Sequence, residues 1–305
     1  MVSFATEQVG GRFGPAVTGL MQSTLGNLPE FFVVIFALQA GEVVVAETAI
    51  LGSILVNALL VLGLAIMVGA RREKDGIMRF SPRLPNDTAT LLLIASFIIV
   101  LIGLANQAHD PASHHTKTIS IIGAIAILTV YGVWVHQYLT TPESAEAQHS
   151  EPPRISTRSA LILLAIGGAA SAFVSDWFVH ALEPTIHTLH ISRAFAGLVI
   201  VAIAGNAVEH AVGVVLASKG QYELAISVIK NSVAQIAAFL YPALVLVSLL
   251  TASALTFALA PVYIGALFGT AILVWQITGD GEATLFEGTA LVATFVILAT
   301  VAAFE

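Results

Sequence analysis

Almost the whole chain consists of apolar runs long enough to cross a bilayer. A spanning helix needs about 20 mostly apolar residues. Nine stretches meet that need: 14–39, 43–69, 88–106, 118–139, 158–182, 193–218, 222–250, 254–277 and 283–304. Of the 305 residues, 57% are hydrophobic and only 10% are charged, and the mean hydropathy is +0.91. A soluble domain carries about 25% charged residues. Too little polar surface remains to cover a soluble globule, so the chain is expected to be an all-α polytopic membrane protein. It has no cysteine, which removes disulfides, thiolate metal sites and cysteine nucleophiles. Nucleic-acid binding requires a basic face, and none is present in a chain of net charge −7. The opening "MVSFATEQVGGRFG" has no basic stretch followed by an apolar core, so no cleavable signal peptide is expected.

Two of the runs are interrupted by the same dipeptide. Gly26-Asn27 breaks 14–39, with Pro29 close behind, and Gly205-Asn206 breaks 193–218. An acid follows each break: Glu30 in GNLPE and Glu209 in GNAVEH. At an offset of 179, Gly26, Asn27 and Glu30 fall on Gly205, Asn206 and Glu209. Gly41 falls on Gly220 and Ser53 on Ser232, so each Glu precedes its Ser by 23 residues. Shared spacing across a helical hairpin marks an internal repeat. Five crossings separate the two broken spans, so the copies run in opposite directions. Inverted repeats with broken helices are the build of secondary transporters, whose site lies near the midplane. Broken helices at that depth are tolerated only where they line protein or a wet cavity.

The connections set the organisation. Residues 1–139 form a first half, 140–157 a linker rich in Pro and small polar residues, and 158–305 a second, inverted half. Nine spans put Arg12, Arg71, Arg72, Lys74, Arg79, Arg83, Arg154, Arg158 and Lys219 on one side, and only Lys117 and Arg193 on the other. The positive-inside rule makes the first side, with the N-terminus, cytoplasmic, as in a bacterial-type inner or plasma membrane. Three linker acids, Glu143, Glu146 and Glu151, read better as a solvated linker than as a cation-sensing patch.

The segments "ATEQVGGRFGPAVTGLMQSTLGNLPE", "GSILVNALLVLG", "GNAVEH" and "KNSVAQIAAFLYP" resemble the cation/proton exchanger family of the calcium:cation antiporter superfamily. The resemblance implies a sodium/calcium exchanger-like fold and a Ca2+/H+ antiporter whose two repeats carry the ion-binding acids. It also implies two further helices ahead of the first motif. Val56 and Val233 stand where the family has small polar residues, and Lys230 where a small or apolar residue is usual.

The residues themselves support a hard-cation site. An ionisable group at the bilayer centre costs at least about 2.5–3.5 kcal/mol on insertion scales, and the two breaks each carry one. Ca2+ takes six to eight oxygens. Glu30 and Glu209 neutralise one such ion, and Asn27, Asn206, Ser53, Ser232, Asn57 and Gln235 can add side-chain oxygens. Oxygen ligation argues against Zn2+ or Cu+. Two close carboxylates in a low dielectric cannot both stay ionised without a cation, so they titrate as a unit and couple protons to Ca2+. His210, beside Glu209, reads from the residues alone as a satisfied interhelical histidine, and the family resemblance makes it a candidate proton relay.

The expected partners are therefore Ca2+ and H+ as substrates, the lipid bilayer and, as an open option, further copies of the chain, with no cofactor and no nucleic acid. Na+- or K+-coupled Ca2+ exchange, a passive channel and a truncated non-transporting paralogue remain as alternatives. A metalloprotease is excluded by the absence of HExxH, and a GxSxG hydrolase by the absence of that motif. Lys230 is expected to snorkel or to pair with an acid. Asp176 and His180 share a helix face near Trp177 and are expected at the outer interface. His109, His114 and His115 read better as a solvated loop than as a metal patch, Glu287 reads as interfacial, and the family resemblance places Glu7 and Gln8 at the cytoplasmic mouth.

Overall fold

The computed structural model describes residues 24–140, 155–251 and 253–305; the side chains of Val208 and Glu209 lie outside the description. Glu7, Gln8 and the linker acids also fall outside it. Among the described residues, seven helical spans are long and apolar enough to cross a membrane, and an eighth is bent by 60°. The described part of the first expected span is a 12-residue apolar helix, α1 (Leu28–Gln39). The second span joins α2 (Val43–Leu55), a π-helical segment (Val56–Val61) and α3 (Leu62–Arg72). Next come α4 (Arg83–Gln107), α5 (Thr116–Thr140) and α6 (Thr157–Leu189). The bent span contains α7 (Arg193–Phe195), a π segment (Ala196–Val201), α8 (Ala202–Gly205) and α9 (Ala207–Ser218). The chain ends with α10 (Tyr222–Gln235), a π segment (Ile236–Leu240), α11 (Tyr241–Val247), α12 (Pro261–Thr278) and α13 (Leu285–Ala303).

The 179-residue offset holds at the level of the backbone. Helices α1 and α9 have 12 residues each, and Leu28 and Gln39 map onto Ala207 and Ser218. Both end in the same Schellman turn. Gly41 N–H donates to Leu38 O and Glu42 N–H to Ala37 O; Gly220 N–H donates to Ala217 O and Gln221 N–H to Leu216 O. The turn needs a left-handed residue, and the glycines supply it at φ +81° and +77°. The π segment 56–61 maps onto 235–240, and a π segment is found at 236–240. The repeated fold is therefore inverted and carries two broken helices, as the sequence implied.

Glycines let the hairpins approach closely, as small residues do between membrane helices. A Cβ at Gly52 would collide with the Leu198 carbonyl, and one at Gly197 with the Thr48 hydroxyl, so α2 lies against the π segment after α7. Gly63 and Gly288 seat α3 on α13 in the same way. The Gly123 site touches Ile98 and Phe257, and the Gly168 site touches Leu28.

Two expected spans have different limits. Residues 254–260 were expected to begin the span 254–277, but helix α12 starts at Pro261. Pro is suited to the first turn of a helix and disfavours helical backbone in the residue before it; Ala260 is extended. The irregular stretch finds its hydrogen bonds within the protein. Leu255 N–H donates to Ser248 Oγ, Phe257 N–H to Ser120 Oγ, and Tyr241 OH to Thr256 O. Helix α6 runs on past residue 182, through Pro184, to Leu189. Hydropathy marks where lipid ends, not where a helix ends.

At the Arg72 end, strands β1 (Ile77–Arg79) and β2 (Glu282–Thr284) pair antiparallel, Met78 opposite Ala283. Arg79 pairs there with Asp75 and Glu282, and its guanidinium holds the Asp75 carboxyl below the usual carboxylate range.

Candidate functional site

Each break has the same local cause. Asn27 (φ −82°, ψ 8°) and Asn206 (φ −108°, ψ 12°) leave the helical region, and the next helix starts afresh behind them. The carbonyl of each accepts a bond from four residues on, Phe31 N–H at 3.1 Å and His210 N–H at 3.0 Å. Glu30 is thus the third residue of α1, and Glu209 the third of α9. Each acid lies in the first turn of a new helix, where the macrodipole favours negative charge. Pro29 tolerates this place because first-turn N–H groups need no helical partner. Its carbonyl accepts a 3.3 Å bond from Ser175 on α6.

The breaks also meet each other. Glu30 is 5% exposed, and a Cβ at Gly205 would stand 3.0 Å from Glu30 Oε1. The acid of the first repeat therefore lies against the glycine of the second repeat's break. A second bridge joins the hairpins: Asn57 Nδ2 donates to Ser53 O at 3.0 Å and to Ser232 Oγ at 3.4 Å. Asn27, Asn206, Ser53, Ser232, Asn57 and Gln235 are all buried. Among the described residues, Asn27 Oδ1, Ser53 Oγ, Asn206 Nδ2, Gln235 Oε1 and His210 Nε2 have no hydrogen-bond partner. Buried polar atoms are normally paired, so these atoms, three of them on the two broken spans, leave hydrogen-bonding capacity open to a polar guest. Most of these atoms are oxygens, the donor type a hard cation takes.

Other expected placements change. Lys230 neither snorkels nor makes an ion pair among the described residues. It is 1% exposed, and its Nζ donates to Thr278 Oγ1 at 3.2 Å. It is enclosed within the protein, and the last residue of α12 supplies a hydroxyl instead of an acid. Glu287 closes a capping box with Thr284 at the start of α13, a role that T-x-x-E spells in the sequence. Asp110 caps the short turn Pro111–His115 through Ala112 N–H. His109, His114 and His115 are exposed, and no cluster of three or more His, Cys, Asp or Glu suited to a metal occurs among the described residues. Asp176 and His180 lie 3.5 Å apart on α6 beside exposed Trp177. Two contacts had no signal in the sequence: Ser175 on the Pro29 carbonyl, and Gly205 as the seat of Glu30.

Comparison with known proteins agrees with this architecture. The sodium/calcium exchanger protein family matches residues 1–137 and 159–304. The chain belongs to that family. A vacuolar calcium ion transporter of Schizosaccharomyces pombe is 32% identical, over 98% of this chain and 74% of its own length. The Ca(2+)/H(+) antiporter ChaA of Bacillus subtilis is 30% identical, over 97% of this chain and 85% of its own. Among solved structures, native YfkE superposes with a TM-score of 0.81 at 27% identity, covering 100% of this chain and 88% of that one. The exchanger is a multi-pass membrane transporter and not an enzyme. The likeness to cation/proton exchangers read from the two motifs holds.

Proposed function

We propose that this exchanger moves Ca2+ in one direction against H+ in the other, by alternating access at a midplane site built on Glu30 and Glu209. The observation that carries the reading is the seat of Glu30 against Gly205, which joins an acid of one broken helix to the break of the other. Relatives bearing the names of Ca2+/H+ antiporters support the choice of ions. Asn27, Asn206, Ser53, Ser232, Asn57 and Gln235 supply the remaining oxygens, with carbonyls loosened at the breaks. Ca2+ requires both carboxylates ionised, and protons arriving from the other side displace it. One site shared by two substrates enforces exchange. His210 relays protons to and from Glu209. The halves 1–139 and 158–305 move about this site, with 140–157 as a cytoplasmic linker. The Arg72 end faces the cytoplasm together with the N-terminus, in a bacterial-type inner or plasma membrane.

The test is uptake of radioactive calcium into everted vesicles under an imposed pH gradient, with and without a protonophore. Gradient-driven uptake is expected, abolished by the protonophore and by either Glu30→Gln or Glu209→Gln. Wild-type rates in either variant would remove the two-carboxylate site. Calcium flux with no opposing proton movement would make the protein a channel.

A further inference from the structure

Repeat symmetry accounts for the acids at the two breaks and leaves one intramembrane acid over. Glu47 lies in α2, five residues past Glu42, and is half-buried. At the 179 offset its mate is Ile226, packed at 1% exposure. The fold therefore has no need of an acid there, since the same place in the other hairpin holds a core residue. Among the described residues Glu47 makes no hydrogen bond and no ion pair. An ionisable residue inside a membrane span without a structural partner marks function by default.

Its surroundings say which function. Helix α2 packs against the π segment Ile236–Leu240 of the opposite hairpin, and the fully buried Tyr241 follows that segment at the start of α11. Glu47 thus lies on a helix at the seam between the repeats. The Tyr241 hydroxyl donates to Thr256 in the irregular stretch 253–260. Non-helical backbone at membrane depth belongs beside protein or a water-filled cavity. Charged groups on the other elements packed against α2 are Glu30 on α1, Arg193 on α7, and Glu223 and Lys230 on α10; Arg193 is engaged by Glu42 at 2.8 Å, and Glu223 accepts from Ser81 N–H at 2.6 Å. Glu47 precedes Ser53 by six residues, about 9 Å along the axis toward the Gly41 end at 1.5 Å per residue. Six residues also turn the helix by about 240°, so Glu47 does not share the Ser53 face.

We infer that Glu47 is a staging carboxylate on the outer branch of the path, which draws a hydrated divalent cation from outer water before the midplane pair takes it. The inference rests on the proposed transport site and on the orientation given above. One carboxylate supplies at most two of the six to eight oxygens Ca2+ takes, so the ion keeps most of its water. The station is electrostatic and weak, and it has no counterpart on the inner branch.

The experiment compares full-length wild type, Glu47→Gln and Glu47→Asp in right-side-out and everted vesicles, reading half-saturating Ca2+ at each face. Glu47→Gln is expected to raise the outer value about fivefold, as fits the loss of one partly screened charge, and to leave the inner value unchanged. Glu47→Asp restores the wild-type value. Added salt raises the wild-type outer value and erases its difference from Glu47→Gln, a reading that needs only folded protein. An unchanged outer value, or equal shifts at both faces, overturns the staging role while exchange and its loss in Glu30→Gln stand. Normal exchange by Glu30→Gln overturns the midplane site, and the staging role with it.

Discussion

The hairpins 28–61 and 207–240 share a backbone and differ in what they bury. Break, helix length, Schellman turn and π segment recur at one offset. Beyond the shared Asn, Glu and Ser, side chains do not follow. Where the first hairpin has Glu47 and Leu51, the second has Ile226 and Lys230. The amides are displaced by one place: Asn57 maps onto Ile236, and Gln235 onto Val56. The turns differ too. A Cβ at Gly41 would meet open space, whereas one at Gly220 would stand 3.1 Å from Arg72 Nε. The difference teaches that backbone devices which expose carbonyls and aim acids are held in common, while each hairpin solves its packing separately.

The sharpest way to break the comparison is to force it. Leu51→Lys copies Lys230 into its mate, a position with 0% exposure. Lys230 has Thr278 Oγ1; Leu51 is enclosed in the apolar core. A cost of at least about 2.5–3.5 kcal/mol is expected, seen as loss of monodisperse protein in detergent. Wild-type yield would mean that Thr278 is not what makes a buried lysine tolerable. Next in size is Asn57→Ala, which removes the bridge to Ser232. Losing the hydrogen bonds of a buried polar group costs about 1–3 kcal/mol, or about 5- to 150-fold in half-saturating Ca2+ if the bridge shapes the site. Gln235→Ala empties a buried site beside Tyr131, so a fall in melting temperature smaller than that of Asn57→Ala is expected. The smallest effect separates the turns. Gly41→Ala and Gly220→Ala each place a Cβ at positive φ, at about 1–2 kcal/mol. Gly220→Ala is expected to lower the melting temperature more, because the Arg72 side chain must also move.

Much of this was legible beforehand, for identifiable reasons. A 23-residue spacing kept in both copies predicted the hairpins, and the structure carries that spacing down to the turn glycines. The breaks were readable because Gly-Asn and Pro inside an apolar run leave few alternatives. What hydropathy could not give was the end of a helix. The apolar stretch 254–260 reads as the start of a span, but Pro261 starts the helix instead. The π segments have no compositional mark. The partner of Lys230 was out of reach because Thr278 lies 48 residues away, at the end of another helix. Within the candidate site, residue types were legible from the repeat. That Glu30 lies on Gly205 required the crossing of the two breaks. Glu47 was readable in principle, as the acid whose mate at the same offset is isoleucine.

The short ladder between Ile77–Arg79 and Glu282–Thr284 has a mechanical consequence. It is a rivet between the chain's two halves, reinforced where Phe80 N–H donates to Gly281 O at 2.8 Å. With their connecting ends riveted, α3 and α4 cannot drift away from α12 and α13 at that face. The proposed alternating access would therefore turn on the rivet as a hinge and not slide past it.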